Sequence, residues 1–525
     1  MNIEMMENQN KRKTNECLYV SKTFPYFLFG KIIGEKGKIY REEIYELIQY
    51  FLDYEKGADF TPEGTAGDYV PSMYKFKKIK TLIDKEARFM FSKEPEIKIK
   101  SRLTDENSMN QAQSLQLILN ETLKNSDFSR LLLQSAKDCF IGKRIACLID
   151  FSEDDGIMIH FYNSLQFYYE TQYGSNKLIK FVSFECVEES VTASGALYLV
   201  NDYRLISGNV YVKSSIYKGT GEEIEELIPE TKTELKQIPV SIIINDGTLM
   251  NKYGTSEVRL LTDGESTYSK ISNADIDCVR KGMNPIRYVV DMNGETTKDL
   301  RSSAGSFWDL KHDSNMDDPS PSVGTLSPDM SHTEALKSTL DRINTEMYSE
   351  LDIPNISEET MVGTITSGKS IKALYYPLIV RCDEKFKTWK LALENIVKYI
   401  IEIALLNSDI VVGLYSLPEL QQTEYDVVIN EKYALLDDEL EEKANDIEEV
   451  QNNLRSIKSY LKKHRHDDLI TDEQMEDEIL QIAYEKSLFD SASVNPMLEN
   501  RTQTEQEELE VDKLVEKEKT EQKLK

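Results

Sequence analysis

An α+β fold is predicted by the way apolar periodicity changes along the chain. Before residue 91 and after about 255, apolar residues recur at helical spacing. Between 142 and 245 the spacing switches to short β-type runs separated by Gly, Asn and acidic turns. A block of strands bracketed by blocks of helix differs from the strand–helix alternation of a parallel α/β sheet. At 525 residues the chain has material for two or three cores.

The elements follow in order. Residues 39–52 set Ile44, Leu47, Ile48 and Phe51 on one helical face, and 74–91 do the same with Ile79, Leu82, Ile83 and Phe89, stopping before Pro95. Residues 96–100 alternate like an edge strand. Ala112, Leu115, Ile118, Leu119 and Leu123 line a further helix, and Asp127 is the expected N-cap of the next, with Leu131, Leu132 and Ala136 inward. Strands are expected at 145–149, 157–161, 178–187, 197–205, 210–217 and 240–244, as an antiparallel meander. A helix follows at 255–281 and another at 331–351, striped by Leu336, Leu340, Ile343, Met347 and Leu351. Between them lie strand-like runs at 286–290 and 306–310 and a Pro/Ser-rich loop around Pro319 and Pro321, a finger at the end of two rods. A long helix is expected from about 369 to 407, kinked by Pro377, with Phe386, Trp389, Leu393, Ile396, Val397 and Ile400 buried. Residues 425–429 form a short strand. From 431 onward the pattern is helical, with 27 Asp/Glu against 14 Lys/Arg, and few apolar residues follow about 495, as in a frayed helix or disordered tail.

Composition narrows the function. A formal net charge of −29 argues against a generic DNA- or membrane-surface binder, though a pore that passes DNA without gripping it favours acidic walls. Six scattered Cys without a C-x-x-C read as reduced thiols, and His464 and His466, set among cations, read as a solvated helix end rather than a metal site. No signal core stands at the N-terminus, and the best apolar run, 396–406, is broken by Lys398 and Glu402. This reads as a soluble chain, cytoplasmic until assembled. With 92 acidic residues no carboxylate pair stands out, and five His leave no legible Ser/His/Asp set. No catalytic residue, metal or cofactor is expected.

One motif competes with that reading. Gly363-Thr364-Ile365-Thr366-Ser367-Gly368-Lys369-Ser370 matches the phosphate-loop pattern G-x-x-x-x-G-K-[ST]. Such a loop needs a buried parallel strand before it and an acidic residue closing a partner strand. The preceding residues, 354–362, are polar and led by Pro354, and the candidate acid, Asp150, lies more than two hundred residues upstream. The octet therefore reads as a turn with Ser367 as helix cap and Gly368 as the bend.

Three segments carry a family resemblance. Residues 80–95, ending Phe91-Ser92-Lys93-Glu94-Pro95, resemble the early helix and turn of the portal proteins of tailed bacteriophages, of the siphophage head-to-tail connector type. Asp352-Ile353-Pro354 through Ser367-Gly368-Lys369-Ser370-Ile371-Lys372-Ala373-Leu374-Tyr375 resembles that family's loop and helix start, with Ser370 where Ala is commoner. Leu469 to Asp472 and Glu476 to Glu485 resemble its crown.

The resemblance implies a ring of about twelve copies at one capsid vertex. It implies a wing at 1–254, a stem of helices 255–281 and 331–351, and a clip at 282–330. A tunnel loop would span 352–369, a kinked long helix and wing strand 370–430, a crown 431–492 and a charged tail 493–525. It puts Asn355, Ser357, Thr360, Thr364, Thr366 and Lys369 toward DNA, and Arg287, Tyr288, Phe307 and Trp308 at clip contacts. Implied partners are other copies of the chain, the terminase large subunit, the head–tail adaptor, the major capsid and scaffolding proteins, and double-stranded DNA held non-specifically. No membrane partner is implied. The implied location is the virion, after the host cytoplasm. A nucleotide hydrolase using the octet, and a non-portal structural or scaffolding oligomer, remain alternatives.

Overall fold

The computed structural model describes residues 26–34, 37–62, 70–152, 156–175, 177–188, 190, 194–283, 286–290, 322–326, 331, 333–356, 368–406, 420, 423–433, 439–452, 454–465 and 472–493. Two units divide the chain, residues 1–435 and 436–525.

The first unit begins with α1 (Tyr26–Ile33), α2 (Gly37–Lys56) and α3 (Lys78–Phe91). α3 buries Ile79, Leu82, Ile83, Ala87 and Met90 along one face, as its periodicity requires. Strand β1 (Glu96–Ser101) leads to α4 (Glu106–Asn125) and α5 (Phe128–Gly142). Asp105 caps α4, its carboxylate accepting from Ser108 N at 2.9 Å. Asp127 does not cap α5. Its backbone is left-handed (φ 48°) and its carboxylate turns outward to Arg130, so the expected cap is corrected.

The strand block forms two sheets rather than one meander. Strand β2 (Arg144–Ser152) lies between β3 (Gly156–Asn163) and β9 (Val240–Ile244). The meander proper is β4 (Phe167–Thr171), β5 (Leu178–Glu188), β6 (Leu197–Ile206), β7 (Asn209–Lys218) and β8 (Glu223–Lys232). The two sheets share a small core. Ala146 and Leu148 of β2 face Phe167, Phe181 and Tyr203, while Ile145, Cys147 and Ile149 face the helical core. Burial on both faces explains why β2 reads as an unbroken apolar run. Strand β12 (Tyr425–Asn430) closes on β1, Glu96 opposite Asn430 and Ser101 opposite Tyr425.

Two long helices leave this body. α6 (Glu257–Met283) and α7 (Thr333–Glu350) pack together. The hairpin of β10 (Ile286–Val290) and β11 (Ser322–Leu326) lies between them in sequence. The strand expected at 306–310 falls outside the described residues; the run expected at 286–290 is β10, and its partner β11 follows the Pro/Ser-rich run around Pro319 and Pro321 in sequence. After 356 the next described residues form α8 (Gly368–Leu374) and α9 (Tyr376–Leu406), separated at Tyr375, two residues before Pro377. Proline lacks an N–H and its ring crowds the carbonyl four residues back, so the interruption has a local cause.

The second unit contains α10 (Glu439–Gln451), α11 (Ile457–His464) and α12 (Asp472–Ser493). Asp446 is buried and accepts from Arg455 at 2.5 Å and Lys463 at 2.7 Å, with His464 Nε2 at 2.5 Å. His464 is thus a mostly buried clamp between α10 and α11, not a solvated helix end. His466 and residues 494–525, including the expected tail, lie outside the described residues. No helix among the described residues is long and apolar enough to cross a membrane.

Candidate functional site at the root of the helix pair

The helix pair is anchored at one end and exposed at the other. Along α7 the apolar stripe is graded: Leu336, Leu340 and Ile343 are half-buried, Met347 is buried, and Leu351 just beyond the helix is fully buried. At the crossing a side chain on Gly264 of α6 would meet Met347 Cγ at 2.8 Å, so only glycine lets the helices approach this closely. Further along α6, polar bonds replace apolar contact. Asn273 accepts from Tyr74 N (2.8 Å) and donates to Tyr74 O (2.7 Å), while Asp277 accepts from Ser72 N (3.0 Å). The extended segment at 70–77 is thereby strapped along the helix.

Glu265 is fully buried on α6 and does the work of a missing cap. Lys77, at the N-cap position of α3, is left-handed and offers no side-chain bond. Glu265 instead accepts from Ile79 N at 2.6 Å and from Ala58 N at 3.0 Å. A carboxylate at a helix N-terminus satisfies an orphan donor and meets the positive end of the dipole. Burial pushes its carboxyl upward, against the pull of these backbone N–H groups.

Four charged side chains meet beneath the root. Glu86 of α3 and Glu257 of α6 are 0% and 1% exposed; Arg381 and Lys385 come from α9. Arg381 donates to Glu86 at 2.9 Å and Glu257 at 3.0 Å. Lys385 donates to Glu86 at 2.5 Å and also to Glu257, and its ammonium stands 4.0 Å from the Phe140 ring centroid. The remaining guanidinium nitrogen reaches Glu350 O at 3.4 Å and Asp352 at 3.9 Å. One arginine therefore joins α3, α6, the end of α7 and α9. Two carboxylates balance two cations, which makes so much buried charge tolerable. Burial and the neighbouring Glu257 push the Glu86 carboxyl up to about 7. Burial works against ionised Glu257 too, but Lys385 and Arg381 hold it well below the usual carboxylate range.

Some of the expected site residues can be placed on the described elements. Asn355 is exposed just past α7, and Gly368 opens α8. Lys369 lies in the first turn of α8, and Pro377 near the start of α9. Arg287 and Tyr288 lie in β10. The side chains of Lys369, Arg287 and Tyr288, and all of Ser357, Thr360, Thr364, Thr366, Ser367, Phe307 and Trp308, are outside the described residues. The structure therefore describes, of the expected set, the side chains of Asn355 and Pro377 alone. It does bring together Glu86, Glu257, Arg381 and Lys385, which the sequence reading missed. Their signal is a charge inside an apolar stripe: Glu86 follows Leu82 and Ile83, and Lys385 sits between Cys382 and Trp389.

The phosphate-loop requirements are not met among the described residues. Every strand pairing is antiparallel, and Asp150 is an exposed residue within β2. No group of three or more His, Cys, Asp or Glu is placed to hold a metal among the described residues.

The described elements thus run from an antiparallel strand block to a helix pair that encloses a hairpin in sequence, and on to an interrupted long helix. The family described as phage portal protein, SPP1 Gp6-like, matches residues 68–487, and the chain belongs to that family. This is a structural family of phage heads, not a family of enzymes. No curated protein matches the chain.

Proposed function

We propose that copies of this chain close into a ring at one capsid vertex, through which DNA is packaged and later ejected. In this reading residues 1–254 and the β12 strand build the wing, and α6 and α7 form the stem. Residues 282–330 form the clip that docks the terminase motor and then the head–tail adaptor. Residues 352–369 project toward DNA, and 431–492 form the crown. The observation that carries the reading is the anchoring of the helix pair: graded burial along α7 and one buried ion cluster at its root. A stem that must keep its angle while DNA moves needs such a footing. The outward residues of α7 include Glu334, Asp341, Glu346 and Glu350 against Lys337 and Arg342, an excess of negative charge suited to a wall that repels phosphate.

Negative-stain images of the purified chain test this reading. Closed rings with a central hole support it; monomers or open fibres would end it.

A further inference from the structure

The five-stranded sheet ends in two edges of opposite character. Its order puts β4 and β8 at opposite sides, about 19 Å apart across four strand gaps. Beside β4 a cleft of about 890 Å³ opens, bounded also by β9 and α9. Its lining includes Leu391, 58% exposed, and Tyr253, 60% exposed. The turn leading into Tyr253 carries Leu249 and Met250, 98% and 99% exposed. That turn is internally bonded. Thr248 N donates to Asn251 O (3.0 Å), Asn251 N to Thr248 Oγ1 (2.9 Å) and Asn251 Nδ2 to Gly254 O (2.9 Å). Gly254, at φ 81°, is enclosed so tightly that a Cβ would meet Asn245 O at 2.5 Å. Large apolar side chains held in water by a preorganised turn have the makings of a binding hot spot. Lys177 and Lys252 add exposed positive charge to the cleft, whose other charged lining residues are Glu170 and the paired Glu43 and Arg144.

The far edge is the complement. Every residue of β8 is exposed; Glu225, and Glu222 just before the strand, stand with Ile224, Leu227 and Ile228. The β7–β8 register shifts at three places, and Pro229 has no N–H to offer. An unbroken added strand is thereby disfavoured, and a partner must meet side chains instead.

We propose that the β8 edge of one copy seats against the cleft beside β4 in the next copy, its glutamates facing Lys177 and Lys252 and its apolar residues meeting Leu249, Met250 and Leu391. This rests on the ring reading. A contact between two different patches, here on opposite edges of one sheet, is the heterologous kind, which closes into a ring where the rotation allows. In a chain of net charge −29, copies repel unless a local contact is complementary, and this pair of edges supplies both charge and apolar complementarity.

Native mass spectrometry of the full chain tests it, with circular dichroism to verify folding. Because the substituted residues are exposed, Glu222→Lys/Glu225→Lys and Leu249→Asp/Met250→Asp are expected to fold. Each should raise the concentration at half-assembly by at least about tenfold. Adding Lys177→Glu/Lys252→Glu to the first pair should restore assembly. Wild-type rings with unchanged assembly in both variants, or no rescue by the charge swap, overturn the contact while leaving the ring intact. A wild-type chain that never closes fails earlier, at the ring itself.

Discussion

Replacing Lys385 by Met is the sharpest test of the buried cluster. The ammonium serves both Glu86 and Glu257, and its removal leaves two buried carboxylates with one guanidinium. Breaking a buried pair in this way costs about 3–5 kcal/mol, because the stranded charge has no water to return to. The pH dependence follows from Glu86. Its carboxyl is raised from an ordinary value of 4.5 to about 7, so the folded state binds that proton more tightly than the unfolded state. Its contribution is fully present below about pH 4.5 and is lost as pH rises through about 7. Glu257 runs the other way: its contribution is present above its ordinary 4.5 and is lost only in strong acid. The cost of Lys385→Met should therefore be larger at pH 8 than at pH 6, where Glu86 takes up a proton. Glu86→Gln combined with Lys385→Met, leaving Glu257 with Arg381, should recover most of the loss. Urea unfolding followed by Trp389, buried one turn along α9, reports the effect in a Trp308→Phe background. A loss below about 1 kcal/mol at pH 8, as for an exposed pair, would mean that the cluster is not a buried anchor.

Other outcomes follow from the same geometry. Glu265→Ala strands the Ile79 and Ala58 N–H groups and should cost about 1–3 kcal/mol for each, with faster amide exchange at the start of α3. Gly264→Val drives a side chain into Met347 and should cost roughly 1–3 kcal/mol, loosening α7 in the same exchange experiment. Cationic partners hold the Asp446 carboxyl down to about 2, against an ordinary 3.8. The order it gives to α10 and α11 should persist above about pH 4 and fade as pH falls through 2; Asp446→Asn should remove that acid transition from the helical circular dichroism.

Periodicity made the helices and most strands legible, but pairing was not. Ile145 to Ile149 reads as a strand in any window, yet its neighbour β9 returns after the whole meander has intervened. The β1–β12 pair joins segments more than three hundred residues apart. Strand β8 escaped because its glutamates and Pro229 hide an edge with no buried face, and β4 because it is short. Asp127 looked like a cap from composition alone; a left-handed backbone and a nearby Arg130 redirected it. His464 looked solvated among cations because Asp446 lies a helix away. The ion cluster was written as Glu86 and Lys385 inside apolar stripes, but only folding shows that the two stripes face each other.

The proposed ring has α6 and α7 lining its channel. A cryo-electron microscopy reconstruction of the assembled chain tests it most directly. The expected map is a closed ring with the α6–α7 pair around the hole and the segment after Leu351 directed inward. A reconstruction with that pair on the outer rim, or a chain that does not close, contradicts it.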